Sequence, residues 1–169
     1  GIIGQVYSGD TSINGNINFI ECYNNGNISG NCIGGIIGES DKYGGNINVN
    51  KCYNTGHITG KGQYNGGIIG YVGYGKINLT ECYNIGDIDR NVTDSYAFSG
   101  GIIGENGYSA YCAIENCYNE GNITETKYGY LGGIIGETLG LTTINNSYNK
   151  GDIESKCSNN DIGGIMGAC

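Results

Sequence analysis

Cysteine is the residue type best able to do chemistry in this chain, which contains eight cysteines among 169 residues. Cys22, Cys52 and Cys82 are 30 residues apart, Cys117 follows 35 residues later, and Ser147 takes the fifth position. A structural zinc site needs four clustered ligands, often supplied by Cys-x-x-Cys pairs, and no such pair occurs. We therefore predict no metal site and no cofactor, and we interpret these cysteines as small apolar residues of a core.

Histidine and carboxylate residues offer two further catalytic arrangements. The only histidine is His57, so the His-Glu-x-x-His motif of zinc peptidases is absent, and a cysteine–histidine nucleophile pair would have to use this one ring. Asp87 and Asp89 form a carboxylate pair of the kind that glycosidases use. A histidine at a repeat corner and acidic residues on an acidic surface are more often solvated. We assign no catalytic residue and predict that the chain is not an enzyme.

The segment that follows Gly86 also contains a calcium-like pattern. Asp87-x-Asp89-x-Asn91 resembles the first ligands of an EF-hand loop, but the glycine and the closing glutamate of that loop are missing. The calcium-binding nonapeptide of other β-helices, Gly-Gly-x-Gly-x-Asp, is absent as well. An incidental ion in the segment 87–98 is the only calcium binding that this pattern allows.

All of these residues belong to a repeated unit. Each unit contains Gly-Ile-Ile-Gly, an extended apolar segment, a Cys-Tyr-Asn or Ser-Tyr-Asn triplet, and Gly-x-Ile. The units begin near Gly1, Gly35, Gly67, Gly101 and Gly133, with a partial copy from Gly164 that reads Gly-Ile-Met-Gly. We predict a single repeat domain over residues 1–169 and, because the chain begins inside a repeat, an excerpt of a longer protein.

The isoleucines of each unit predict the fold. They mark three centres, such as Ile36, Ile47 and Ile58, separated by glycine and asparagine corners. One such unit cannot bury its own apolar side, so it buries that side against identical units stacked above and below. The absence of proline agrees with strands that all donate their N–H groups to a ladder. We predict an all-β fold: a three-sided parallel β-solenoid (β-helix), right-handed, with about five coils of 30–35 residues.

Alternation along the triplet predicts that cysteine points inward, tyrosine outward and asparagine inward at a corner. The predicted columns are cysteines Cys22, Cys52, Cys82 and Cys117, an amide ladder of Asn24, Asn54, Asn84, Asn119 and Asn149, and an outward stripe of Tyr23, Tyr53, Tyr83, Tyr118 and Tyr148. We expect the glycine two residues after each asparagine, such as Gly56, to adopt a positive φ. Opposite charges in neighbouring copies, Glu120 with Lys150 and His57 with Asp87, are expected to pair.

Charge excludes several partners. The net charge is −8, and the chain has only eight lysines and arginines. Phosphate binding needs a basic face, so we expect neither nucleic acid nor an anionic membrane surface as a partner. No apolar run approaches ~20 residues, so we expect no membrane insertion. The cysteines do not decide the compartment, and Cys157 with Cys169 is the one pair that we would test for a disulfide.

The combination of motifs resembles the GLUG motif, a short repeat with glycines around two apolar residues and a Cys-Tyr-x-x-Gly-x-Ile/Val segment. Residues 34–38 and 52–58 fit that pattern, and the resemblance extends over essentially the whole chain. It implies a β-helical fold and an extracellular bacterial setting. GLUG repeats occur in large secreted or wall-attached bacterial proteins, including adhesin-like proteins and the non-catalytic regions of IgA-cleaving metallopeptidases.

Three functions are compatible with these observations. We favour a non-catalytic structural or interaction module of a bacterial secreted or cell-surface protein, an adhesive or spacer segment that binds a host glycan or protein and adjoins further repeats or domains. An accessory, substrate-positioning region of a secreted metallopeptidase is the alternative. An ice-binding solenoid is less favoured, because the column Ser29, Thr59, Asp89, Thr124 and Glu154 is not a regular threonine rank.

Tyrosine supplies the candidate binding groups. The outward stripe either stacks on sugar rings and protein partners or stacks on itself and shields the backbone, and we favour the second role. Tyrosines in the variable loops are better candidates for specific recognition, because insertions in solenoids cluster where contacts are made. These are Tyr64, Tyr96, Tyr108, Tyr128 and Tyr130.

Overall fold

The computed structural model describes residues 1–8, 15–90 and 96–169. In these ranges the chain consists of strands joined by turns, bends and irregular segments, and no helix there is long and apolar enough to cross a membrane. In chain order the strands are β1 Ile3–Ser8, β2 Ile17–Ile20, β3 Tyr23–Asn24, β4 Ile28–Gly34, β5 Ile37–Asn50, β6 Tyr53–Asn54, β7 Ile58–Gly66, β8 Ile69–Thr80, β9 Tyr83–Asn84, β10 Ile88–Arg90, β11 Ala97–Gly100, β12 Ile103–Glu115, β13 Tyr118–Asn119, β14 Ile123–Glu125, β15 Gly129–Gly132, β16 Ile135–Thr138, β17 Leu141–Asn145, β18 Tyr148–Asn149, β19 Ile153–Ser155, β20 Asp161–Gly163 and β21 Met166–Ala168.

These strands form three parallel sheets. Sheet 1 runs β1-β5-β8-β12-β16-β21, with β2 beside β5 and β17 beside β12; sheet 2 runs β19-β14-β10-β7-β11-β15-β20, with β4 beside β7; and sheet 3 runs β18-β13-β9-β6-β3. Equivalent residues of successive copies are paired, so that Ile37, Ile69, Ile103 and Ile135 follow one another across sheet 1. The all-β parallel solenoid of about five coils is therefore confirmed.

The three sides of each coil do not correspond one to one with the three isoleucine centres that the sequence predicted. Ile37 and Ile47 lie in the same 14-residue strand, β5, while the third side is built from the two-residue Tyr-Asn strands. The reason is that the segment between the two isoleucines stays extended and paired with β8 through local register shifts instead of turning a corner. The corner falls at Lys51, directly before the Cys-Tyr-Asn triplet.

The positive φ expected at the glycine after each triplet is found elsewhere. It occurs one residue before the cysteine or serine, at Glu21, Lys51, Glu81, Asn116 and Asn146, with φ between 47° and 54°. The glycines after the triplets are constrained by the space between neighbouring coils. A Cβ on Gly56 would overlap the carbonyl oxygen of Gly26 in the preceding coil and approach the Asn24 Nδ2 to 2.9 Å. Glycine is required there because neighbouring coils approach closely, not because of its φ.

Two apolar clusters fill the interior. The larger contains the Gly-Ile-Ile-Gly isoleucines, the cysteine column and the apolar residues of β2, β5, β8 and β12. The smaller, between the strands of sheet 2, consists of Ile33, Ile58, Ile88, Ile123 and Leu131. At the Gly-Gly bend, a Cβ on Gly66 would overlap the Ile69 carbonyl oxygen and approach the Gly104 nitrogen to 2.8 Å. Backbone lies against backbone at this crossing, which explains why the bend needs glycine.

Candidate binding surfaces

The cysteine column lies inside the solenoid. Cys52, Cys82 and Cys117 are completely buried, and Cys22 in the first coil is partly buried. Their thiols donate to backbone carbonyls of the same or the preceding coil, as Cys82 does to Thr80 at 3.4 Å and to Val49 at 3.3 Å. Cys112 takes the position of Ile77 in its column and is also fully buried. Cysteine here serves as a small core residue with a weak hydrogen-bond donor.

The buried thiols differ in acidity: the hydrogen bond from Cys82 lowers the pKa of Cys117, whereas three other buried thiols have raised pKa values and are poor nucleophiles. Contact with the next thiol in the column, together with burial, raises the pKa of Cys52 and raises the pKa of Cys82 to about 12. Burial also raises the pKa of Cys112. All eight cysteines, including Cys157 and Cys169, are free thiols in the structure. Among the residues that the structure describes, no cluster of three or more histidine, cysteine or acidic residues could hold a metal ion.

The five asparagines form a continuous ladder. Each Nδ2 donates to the Oδ1 of the next asparagine, at 2.7 to 2.8 Å along the series from Asn24 to Asn149. The same Nδ2 donates to the carbonyl of the glycine two residues later, as Asn84 does to Gly86 at 2.7 Å. Asn54, Asn84 and Asn119 are completely buried. Both amide protons of Asn54, Asn84 and Asn119 are therefore used, and these three side chains have no free N–H to meet a ligand.

The five outward tyrosines, which we call the tyrosine stripe, stack on one another. Adjacent ring centroids are 4.8 to 5.2 Å apart, and the ring planes lie within 8° of parallel. The end rings Tyr23 and Tyr148 are about half exposed, and the Lys150 ammonium lies 5.0 Å from the Tyr148 centroid. A sugar ring stacks on an aromatic face. Because neighbouring rings cover most of these faces, the stripe offers mainly ring edges and hydroxyl groups.

The charged candidates fall on the surface. Lys150 pairs with Glu120 at 2.9 Å, as the columns predicted. His57, however, pairs with Asp89 at 3.3 Å and not with Asp87, because Asp87 accepts a backbone N–H from Asn122 in the next coil. His57 is therefore not brought to any of the buried cysteines.

The remaining candidates from the sequence lie partly on the surface and partly outside the described residues. Asn91 of the calcium-like pattern lies outside the described residues. The column from Ser29 to Glu154 is aligned across sheet 2. It includes the charged residues Asp89 and Glu154, so it is not a regular rank of threonines.

A second aromatic row crosses sheet 2. Tyr64, Phe98 and Tyr130 are in register in β7, β11 and β15, with ring centroids 5.6 and 5.8 Å apart. Tyr96 lies beside its end, 6.2 Å from Tyr128 and 6.5 Å from Tyr130. Tyr64, Tyr108 and Tyr130 were expected in loops, but the structure places them in strands. Sequence reasoning missed Phe98, although its position two residues before Gly-Gly matches that of Tyr64 and Tyr130.

Sequence reasoning also missed a buried ion pair. Arg90 and Glu125 are adjacent across β10 and β14, have completely buried side chains, and approach to 3.0 Å between Nη1 and Oε1. Arg90 Nε also donates to the Gly62 carbonyl at 2.7 Å, and the Glu125 carboxylate accepts the Thr126 N–H at 2.9 Å. Burial raises the pKa of Glu125, while the Arg90 charge opposes that shift. The available signal was the opposite charges two residues after Ile88 and Ile123.

Comparison with known proteins agrees with this repeat geometry. Fold and ladders together define a β-solenoid repeat module. The family model described as the GLUG motif matches residues 99–124, a segment that contains one Gly-Gly-Ile-Ile-Gly bend, strand β12 and the Cys117–Asn119 triplet. The match supports a GLUG-motif repeat protein, and the other copies pair in register with the matched one. No curated protein and no solved structure matches the chain.

Proposed function

We propose that this chain is a non-catalytic structural and interaction module of a bacterial secreted or cell-surface protein, where it serves as an adhesive or spacer segment. The observation that carries the proposal is the use of the recurrent triplet. Its cysteine is buried, its asparagine has both amide protons bonded, and its tyrosine is stacked. The residues that recur in every copy thus build the column, and none of them is left to perform a reaction.

The interaction role rests on aromatic side chains outside the triplet. Tyr96 and Tyr128 are 57% and 45% exposed, and they lie together at the end of the aromatic row of sheet 2. Their rings are tilted by 35° and stand farther apart than those of the stripe, so more of each face is accessible. Accessible aromatic faces are the usual platform for sugar rings and for apolar groups of a protein partner. We therefore propose a host glycan or host protein as the ligand of this region.

Binding arrays test the proposal. The purified chain is applied to a glycan array and to a panel of host surface proteins, together with a Tyr96→Ala, Tyr128→Ala double variant. Tyr108→Ala is the matched control, because Tyr108 is 81% exposed and forms none of the observed ring contacts. We expect the double variant alone to lose binding. Equal binding by all three proteins would exclude this aromatic pair, and hydrolysis of any arrayed ligand would contradict a non-catalytic role.

The flanking sequence separates this setting from the alternative of a peptidase accessory region. A wall-sorting signal or further repeats beside this segment would support the surface protein. A His-Glu-x-x-His motif in the same gene product would support the peptidase.

A further inference from the structure

Acidic and aromatic side chains meet where sheets 1 and 2 adjoin, at a place to which the stacking of the repeat assigns no role. In sheet 1, Tyr71, Glu105 and Glu137 are consecutive in register across β8, β12 and β16. In sheet 2, Tyr64 and Phe98 are adjacent in register across β7 and β11. We call these five residues the acidic–aromatic notch.

Ring contacts join the two sides of the notch. The Tyr64 and Tyr71 centroids are 4.4 Å apart with an interplanar angle of 21°, although the residues belong to different sheets. Phe98 continues the row at 5.6 Å from Tyr64. The Glu105 charge acts on both tyrosines, because it contributes to raising the pKa of Tyr64 and the pKa of Tyr71 after the larger effect of burial. Glu105 is the in-register neighbour of Tyr71 across β8 and β12, so its side chain lies beside the stacked pair of Tyr71 and Tyr64.

Glu105 has no partner of its own. Glu105 is only 5% exposed. Across the described ranges 1–8, 15–90 and 96–169, its side chain makes no hydrogen bond and no ion pair. Its neighbour Glu137 has the same charge, and burial followed by that charge raises the pKa of Glu105 to about 7. A buried carboxylate without a partner is costly and calls for a physical explanation.

The surrounding charges are all acidic. The carboxylates that act on Tyr64 are Glu105, Glu39 and Glu137, and Asp41 acts in addition on Tyr71. The acidic groups Glu105 and Glu39 raise the pKa of both tyrosines, so the potential at the two rings is negative. The chain as a whole has a net charge of −8, which adds to that potential.

We propose that the acidic–aromatic notch binds an organic cation of the alkylammonium or guanidinium class, with Glu105 as its counter-ion and the rings of Tyr64, Tyr71 and Phe98 as its walls. A carboxylate beside aromatic rings suits such a cation, because the charged head meets the carboxylate while its methylene or methyl groups lie against the rings. A metal ion fits less well, because no cluster of three or more metal-ligating side chains is present among the described residues. Such a cation would give the Glu105 carboxylate the partner that it lacks among the described residues.

Titration of the whole chain with small cations tests the site. The probes are N-acetyl-lysine methylamide, N-acetyl-arginine methylamide and tetramethylammonium, with N-acetyl-glutamine methylamide as the neutral control, and the readout is the shift of tyrosine and phenylalanine ring resonances by NMR. Near pH 8, where Glu105 is ionised, we expect saturable binding with a Kd on the order of millimolar for the cations only. Stronger binding of the capped amino acids identifies a polypeptide side chain as the ligand, and stronger binding of tetramethylammonium identifies a free quaternary amine.

Two variants with the same change in net charge make the test specific. Glu105→Gln removes the proposed counter-ion, and Glu81→Gln removes an exposed carboxylate on another part of the surface. We expect Glu105→Gln to weaken binding by at least about tenfold and Glu81→Gln to leave it unchanged. Thermal unfolding of both variants checks that each is folded, and Phe98→Leu provides a second probe of the rings. The proposal is overturned if the cations do not bind, or if the two glutamine variants bind them equally.

Discussion

Asn54 donates one amide proton to Asn84 Oδ1 at 2.8 Å and the other to the Gly56 carbonyl, also at 2.8 Å. The first bond ties two coils together, and the second closes the corner within one coil. Because the same pair of bonds recurs in the first four copies, one side-chain type fixes both the vertical register and the local turn. This arrangement explains why an amide follows the tyrosine in all five triplets.

The central position of the ladder gives the first prediction. Asn84→Ala removes the bonds to Asn119 and Gly86 and leaves the buried Asn54 amide without its acceptor. We expect the free energy of unfolding to fall by about 2–4 kcal/mol, as measured by urea denaturation. Asn48→Ala is the control, because Asn48 belongs to a ladder on the outer surface and should cost less than about 1 kcal/mol. Similar losses in the two variants would contradict the special role of burial.

Glycines two residues after the ladder asparagines give the second prediction. A Cβ on Gly86 would overlap the Gly56 carbonyl, whereas a Cβ on Gly26, in the first coil, would meet only Asn24 Oδ1 at 3.8 Å. We therefore expect Gly86→Ala to destabilise the chain by about 2–4 kcal/mol and Gly26→Ala to change stability by less than about 0.5 kcal/mol. Urea denaturation of the two variants in parallel decides the matter. If Gly26→Ala were equally harmful, backbone conformation and not the stacking distance would explain these glycines.

The third prediction compares two ion pairs of similar length. Arg90–Glu125 and Lys150–Glu120 are separated by 3.0 Å and 2.9 Å, but only the first is completely buried. We expect Glu125→Gln to cost about 3–5 kcal/mol, because it leaves the Arg90 charge buried without its carboxylate, and Glu120→Gln to cost less than about 1 kcal/mol. Chemical denaturation in low and high salt measures both, and only the small effect at Glu120 should depend on salt. A negligible effect at Glu125 would contradict the buried pairing.

The pH dependence of stability is the fourth prediction. Burial and the Glu137 charge raise the pKa of Glu105 from an ordinary value of 4.5 to about 7. Between these two values the native state binds more protons than the unfolded state, so stability falls as pH rises from about 4.5 to about 7 and then levels off. The pKa values of Glu39, Glu125 and Glu137 are raised as well, so these groups act in the same direction.

Urea denaturation across this pH range measures the effect. We expect the wild-type chain to lose about 2 kcal/mol between the two ends, allowing for partial solvation of the carboxylates. Glu105→Gln should flatten the curve and be the more stable protein near neutral pH, while Glu81→Gln should keep the wild-type slope. A pH-independent wild type, or a glutamine variant with an unchanged slope, would show that Glu105 is not the buried acid that the structure describes.

Much of the architecture was accessible from the sequence because the repeats align like residues. The position of Cys82 between Cys52 and Cys117 follows from spacing alone, since stacked coils place equivalent residues above one another. The asparagine ladder follows from the same spacing. The positive φ at Lys51 was missed because lysine and glutamate have no preference for that conformation, and only the path of the chain into the corner imposes it.

The surfaces outside the triplet depend on contacts between different sides of the coil. The pairing of His57 with Asp89 instead of Asp87, and the stacking of Tyr64 on Tyr71, join residues whose positions in the repeat are not equivalent. Periodicity aligns equivalent positions only, so it carries no information about such contacts.

The sequence by itself determined that the chain is a stacked β-solenoid and which residues form its cysteine, asparagine and tyrosine columns. Recurrence at a fixed interval and strand alternation are local properties, and they are sufficient for that conclusion. Only the tertiary structure decided which of those side chains remain accessible and which charges are buried. Exposure and pairing depend on the bend angle at the Gly-Gly corners, which brings sheet 1 and sheet 2 together and leaves Glu105 among aromatic rings without a partner.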